Sequence, residues 1–119
     1  MGDPGKHADI LRKLAAMEGA PHPDLQFIPT GFRALDLALG GGFPRGHIVE
    51  LFGPAGSGKT TIALQSIAHV QTAALNAAYI DADHTFDAAY AAGLGVALER
   101  LPLIQPAFAE QAMEIACTL

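Results

Sequence analysis

The sequence predicts an α/β fold in which a largely parallel sheet is flanked by helices. Short apolar runs alternate with stretches of helical periodicity along most of the chain. A cluster of glycines joins one such run directly to a helical pattern. Half of the 119 residues are apolar, enough for the core of one small domain.

The elements follow in order. Lys6–Glu18 places Ile10, Leu11 and Leu14 on one face and stops at Gly19, which reads as a short amphipathic helix. A proline-rich linker, "APHPDLQFIP", comes next. Thr30 is an N-cap candidate for a helix carrying Phe32, Leu35 and Leu39 at helical spacing and ending in Gly40, Gly41 and Gly42. His47–Phe52 ("HIVELF") reads as a buried strand. A helix from Lys59 to about Val70 turns Ile62, Ala63, Ile67 and Val70 inward. Ala77–Asp81 reads as a second strand, and "FDAAYAAGLG" as a helix closed by Gly93 or Gly95. "RLPLIQ" is a third strand, placed at an edge by Pro102. The last helix carries Phe108, Ala112, Ile115 and Leu119 on one face.

Composition narrows the function classes. The net charge is −5 with histidine neutral, whereas a free-standing nucleic-acid binder is usually basic. Beyond Lys59 the only basic residue is Arg100. A single cysteine, Cys117, excludes an intrachain disulfide and reads as inert helix packing. The five histidines show no metal-ligand spacing. No apolar run is long enough to cross a bilayer, and the polar start lacks an apolar leader core, so a soluble cytoplasmic protein is expected.

The chemistry concentrates in Gly53, Pro54, Ala55, Gly56, Ser57, Gly58, Lys59 and Thr60, which fit G-x-x-x-x-G-K-[ST]. A loop that wraps a phosphate turns its backbone N–H groups inward, with dihedrals and a closeness of approach that glycine tolerates. The helix beginning at Lys59 adds unpaired N–H groups and a positive dipole end. Lys59 supplies a point charge for the β- and γ-phosphates, and the Thr60 hydroxyl is a ligand for a Mg²⁺ bridging them. Thr61 is counted with this site, although its position also suits plain helix surface. The motif predicts nucleotide binding and does not say which nucleotide.

From Ile28 to Leu119 the chain resembles the first part of the ATPase core of bacterial RecA recombinases. The resemblance is carried by "IPTGFRALDLALGGGFPRGHIVELFGPAGSGKTT", "AAYIDADHTFDAAYAAGLGV" and "LPLIQPAFAEQAMEIA". It divides the chain into residues 1–27, a helix and linker, and residues 28–119, a partial RecA-like nucleotide-binding domain of the P-loop class. It implies ATP and Mg²⁺ at Gly53–Thr60 and a water-positioning carboxylate at Asp83, where the family carries glutamate. An N-cap of the following helix is the other role open to Asp83. It also implies that Asp87 and Tyr90, on one helical face, hold the adenine ring; ordinary packing is the alternative for Tyr90. The family loop typically reads G-P-E-S-S-G-K-T, so Ala55 and Gly56 stand where Glu and Ser are usual.

In the family a strand with an acidic residue that supports Mg²⁺, the DNA-touching loops and a γ-phosphate sensor come after the part matched here. Later strands also separate the strand before the phosphate loop from the one ending in "IDADH". The expectation is therefore a truncated product or fragment that is unstable alone or needs a partner, because an unpaired sheet edge leaves backbone groups unsatisfied. The function implied is the ATP-binding portion of a recombinase in homologous recombination and DNA repair, a DNA-dependent ATPase forming a filament of like subunits on single-stranded DNA. A non-catalytic module that joins or caps such a filament is the second reading, favoured by Asp83. A small-molecule P-loop kinase is the third, disfavoured because phosphoryl transfer needs several cations.

Overall fold

The computed structural model describes residues 25–119. The helix expected at Lys6–Glu18 lies outside them. Within them are four two-residue strands, four α-helices and one 3₁₀ turn. β1 (Phe27–Ile28) pairs antiparallel with β2 (Phe43–Pro44), and β3 (Tyr79–Ile80) pairs parallel with β4 (Leu103–Ile104). The α/β class holds, but the sheet is two separate pairs, and only one of them is parallel.

The antiparallel pair was not foreseen. Phe27 faces Pro44 and Ile28 faces Phe43, so part of the expected linker is strand. The pairing requires glycine at 42: a Cβ there would stand 2.2 Å from the carbonyl oxygen of Ile28, at φ +134°. α1 (Arg33–Ala38) lies between the two strands. Its N-cap is Phe32, not the expected Thr30, and no side chain caps it. Thr30 is fully buried and bound elsewhere. Its N–H and hydroxyl donate to Asp36 Oδ1 at 2.8 and 2.7 Å, while its Oγ1 accepts the Phe32 N–H at 3.1 Å. The Thr30 hydroxyl, then its N–H, holds the Asp36 carboxyl below the usual value, against the opposing effect of burial.

The expected buried strand His47–Phe52 is a correction. It belongs to no ladder, and Ile48 is 98 % and Phe52 85 % exposed. A strand is stable through its neighbours, and none of the described residues pairs with this one. A groove of about 450 Å³ runs between this segment and β3, lined by Phe43, Val49, Leu51, Ala63, Ile67 and Ile80. β3 is hydrogen-bonded only to β4.

The core sits on α2 (Lys59–Thr72). Leu64 is buried against Ala91, Val96 and Leu101, with Ile67, Ala68, Tyr79, Phe86 and Leu94 packed around them. A fully buried leucine contributes about 1.5–3 kcal/mol. Gln71 lies on the same face and is buried. Its side-chain amide donates to the Ala97 carbonyl at 3.0 Å and accepts the Ala97 N–H at 2.8 Å, so both groups are satisfied. α2 ends in a Schellman turn, Leu75 N–H to Val70 O and Ala74 N–H to Gln71 O, both 3.1 Å. The left-handed residue there is Ala74, at φ +58°.

α3 (Ala88–Gly93) closes with the same turn, and Gly95 takes the left-handed position at φ +96°. Asp87 is its N-cap, its Oδ1 accepting the Tyr90 N–H at 3.0 Å, so the cap considered for Asp83 belongs to Asp87. The 3₁₀ turn Leu98–Arg100 leads to β4, and α4 (Ala109–Thr118) carries exposed Met113 and Cys117.

Asp81, 3 % exposed at the end of β3, organises the loop that follows. It accepts N–H bonds from Thr85 at 3.1 Å and Phe86 at 2.9 Å, and the Gln105 amide at 3.1 Å. Burial pushes its carboxyl up, but the bonds from Phe86, Gln105 and Thr85 outweigh it and hold the group below its ordinary value. His84, at φ +56°, ties the same loop to α4's approach by donating from Nε2 to the Pro106 carbonyl at 2.9 Å.

Two outcomes are expected. Ala74→Gly relieves a left-handed alanine and raises stability by about 0.5–1 kcal/mol, read as an upward shift of the helical melting midpoint. A midpoint that stays or falls would contradict the strain. Asp81 stabilises the fold in full above the unfolded carboxyl value of about 4, and that contribution is lost as pH falls through its lower folded value. Asp81→Asn therefore weakens the fold at pH 7 and flattens the decline of the melting midpoint below about pH 4; a decline as steep as wild type would refute the assignment.

Candidate functional site

The glycine-rich segment forms a hollow of about 210 Å³ lined by Gly56, Ser57, Gly58, Lys59, Thr60 and Thr61. Gly58 is the N-cap of α2 at φ +95°, a left-handed conformation that an L side chain enters only with strain. Gly56, at φ +78°, is left-handed as well. At Gly53 a Cβ would meet only the Ser57 hydroxyl, at 2.9 Å, and a turn of that side chain about χ1 makes room for it. The Ser57 N–H donates to Pro54 O at 3.2 Å, and the first helical bond runs from Ile62 N–H to Gly58 O at 3.0 Å. The N–H groups of Gly58, Lys59, Thr60 and Thr61 have no backbone partner among the described residues.

Lys59 folds across this segment. Its ammonium donates to the carbonyl oxygen of Gly53 and lies 3.5 Å from that of Pro54. Thr60 is exposed on the first turn. No carboxylate lines the hollow, and among the described residues no cluster of three or more His, Cys, Asp or Glu side chains could hold a metal. The donor set is thus backbone N–H groups, one ammonium and hydroxyls. That set fits an anion, and it fits a divalent cation only where the anion supplies most of the ligands.

Thr61 connects the hollow to α3. Its Oγ1 lies 2.6 Å from the Tyr90 hydroxyl, and Tyr90 in turn gives its N–H to Asp87. The fold thereby links Gly56–Thr61, Tyr90 and Asp87, three parts that the sequence reading assigned to one ligand. Gly53 and Pro54 join through Lys59, whereas Ala55 does not line the hollow. Asp83 is exposed on the loop after β3, and no hydrogen bond ties it to the glycine-rich segment among the described residues. Its charge is felt at Tyr79, whose phenol is pushed up first by burial, then by Asp81 and Asp83.

Sequence reasoning overlooked several supporting residues. Gln71 is one of them: the expected inward face of Ile62, Ala63, Ile67 and Val70 is only half-buried, and the buried positions of α2 are Leu64, Ser66 and Gln71. Asp81, read as the end of the second strand, orients the loop backbone through two N–H bonds. The Thr61–Tyr90 contact, 29 residues apart, left no trace in the local pattern.

The family description "RecA N-terminal domain" matches residues 8–119. The chain is 57% identical over 89 residues to Protein RecA of Picosynechococcus sp., covering 75% of this chain and 26% of the relative. Protein RecA of Frankia alni is 53% identical over 95 residues, covering 79% and 28%. That of Listeria welshimeri is 51% identical over 107 residues, covering 87% and 31%. The chain thus spans between about a quarter and a third of the length of these curated relatives. No described helix is long and apolar enough to cross a membrane. With the match running through the glycine-rich hollow and on to the last residue, the chain belongs to the RecA N-terminal domain family.

Proposed function

We propose that this chain is the ATP-binding portion of a RecA-like recombinase acting in homologous DNA recombination and repair. The observation that carries the reading is the hollow at Gly56–Thr61, opened by left-handed Gly56 and Gly58, where the N–H groups of Gly58 to Thr61 have no backbone partner among the described residues. Its occurrence within a match covering residues 8–119 supports the P-loop class and a RecA-like parallel sheet. The domain proposed is residues 28–119, preceded by a helix and linker over 1–27.

In this reading the N–H groups of Gly58, Lys59 and Thr60 bind phosphate oxygens. Lys59 leaves the Gly53 carbonyl for the β- and γ-phosphates, exchanging a neutral acceptor for a charged one. The Thr60 hydroxyl is the chain's ligand for Mg²⁺, which when bound neutralises phosphate charge. Tyr90 offers a ring face to the base and Asp87 a carboxylate oxygen to its amine. Asp83 positions the attacking water. Filament formation with like subunits on single-stranded DNA, in the cytoplasm, belongs to the same proposal.

The second reading is a nucleotide-binding module without turnover that joins or caps a filament. Asp83 favours it: the side chain is one methylene shorter than glutamate, and no hydrogen bond holds it toward the hollow. The kinase reading loses support, because Arg100 gives its guanidinium to the Gln71 carbonyl at 3.2 Å. That point lies about 18 Å along α2 from Lys59 at 1.5 Å per residue.

An ATP titration followed by melting and by phosphate release tests these readings. Wild type with Mg²⁺ gains about 2.7 kcal/mol at a ligand concentration 100 times the dissociation constant, and Lys59→Ala loses most of that gain. No shift in wild type would remove the ATP assignment. A shift without phosphate release, with or without single-stranded DNA, selects the non-catalytic module.

A further inference from the structure

Tyr90 is fixed at two points, one by the local cap of α3 and one by a partner 29 residues away. Its backbone N–H is held by Asp87, and its hydroxyl lies 2.6 Å from Thr61 Oγ1. Beside it in sequence, Ala91 is fully buried in the core that seats α3 on α2. The ring itself remains 45 % exposed. An exposed tyrosine normally leaves its hydroxyl to water and its ring free to turn about χ1 and χ2. Here both torsions are restrained by a bond to the first turn of α2, whose residues Lys59, Thr60 and Thr61 line the hollow. Lys59, Thr60 and Thr61 are successive residues and point about 100° apart around the helix, so they do three different things. Lys59 reaches the loop carbonyls, Thr60 stands exposed, and Thr61 meets Tyr90.

We infer that Thr61 is a positioning residue: its hydroxyl tethers the Tyr90 ring to the phosphate-side turn and so presets the platform on which the base of a bound nucleotide stacks. This rests on the reading of Gly53–Thr60 as a triphosphate site. The tether couples the two ends of the ligand through one helical turn. Phosphates bind the N–H groups of the turn, and the base meets a ring whose orientation the same turn dictates. Preorganisation of this kind raises affinity by removing the ordering cost at binding. It acts on ligands that carry a base and leaves bare phosphate chains indifferent.

The test measures dissociation constants of the 119-residue chain for Mg²⁺-ATP and for Mg²⁺-tripolyphosphate, with far-UV dichroism confirming the fold of each variant. Thr61→Val and Tyr90→Phe each weaken ATP binding about three- to tenfold, the range of one neutral hydrogen bond. The double variant is no weaker than either single one, because both remove the same bond. Tripolyphosphate binding is unchanged in Tyr90→Phe and weakens by less than ATP binding does in Thr61→Val, and Thr61→Ser, which keeps the hydroxyl, restores ATP binding to within about twofold of wild type. The inference is overturned if Thr61→Val binds ATP like wild type, or if tripolyphosphate weakens in parallel, which would place Thr61 on the phosphates. Tyr90→Phe removes one exposed hydroxyl and tests the same bond should Thr61→Val fail to fold. Wild type that binds tripolyphosphate as tightly as ATP sinks the platform alone, whereas wild type that binds neither sinks the triphosphate reading and the tether with it.

Discussion

The packing of the described residues is hung on the inward face of α2. Leu64 packs into Ala91, Val96 and Leu101, and this contact decides where α3 and the following turn sit. At the far end of the helix the Gln71 side chain closes a two-bond ring with Ala97, which behaves like a short piece of ladder between a helix and a loop. At the near end the helix begins abruptly at left-handed Gly58. A rigid rod anchored in the middle and at one end presents its other end in a defined place. That end is the turn carrying Lys59, Thr60 and Thr61.

The sheet is the weaker half of the architecture. β3 and β4 are joined by bonds such as Tyr79 N–H to Pro102 O at 2.9 Å and Asp81 N–H to Ile104 O at 2.8 Å. The other side of β3 faces a groove instead of a neighbour, and the apolar run before the glycines stands exposed beyond it. The core therefore rests on helix packing and on side-chain bonds to backbone more than on strand pairing. Asp81 illustrates this. It satisfies two N–H groups of the loop after β3 and takes a third bond from Gln105, work that a longer ladder would share.

The hollow and its surroundings separate two kinds of demand. Binding a phosphate chain needs N–H groups, a cation and close backbone approach, all of which the segment 53–61 contains. Turnover needs a carboxylate at the right distance from a water, and Asp83 stands exposed on a loop held by Asp81 and His84. Sequence identity above half with Protein RecA over most of the chain places it in the family.

Local chemistry was legible in the sequence wherever one residue type is nearly obligatory. The glycine spacing before Lys59, the helix that follows, the glycine stop after α3 and the places of β3 and β4 in the chain follow from dihedral limits and apolar periodicity, which act over a few residues. Other features depended on partners distant in the chain. Thr30 spent its hydroxyl on Asp36 and left the cap to Phe32. Phe27–Ile28 became a strand because Phe43–Pro44 returned beside it. His47–Phe52 has strand composition yet no ladder, because a strand is a property of a pair. The sequence by itself determined a glycine-rich loop on a helix in an α/β frame; only the tertiary structure decided that Tyr90 is tied to Thr61 and that the apolar run is exposed, since hydrogen-bond partners and burial are set by which distant segments meet.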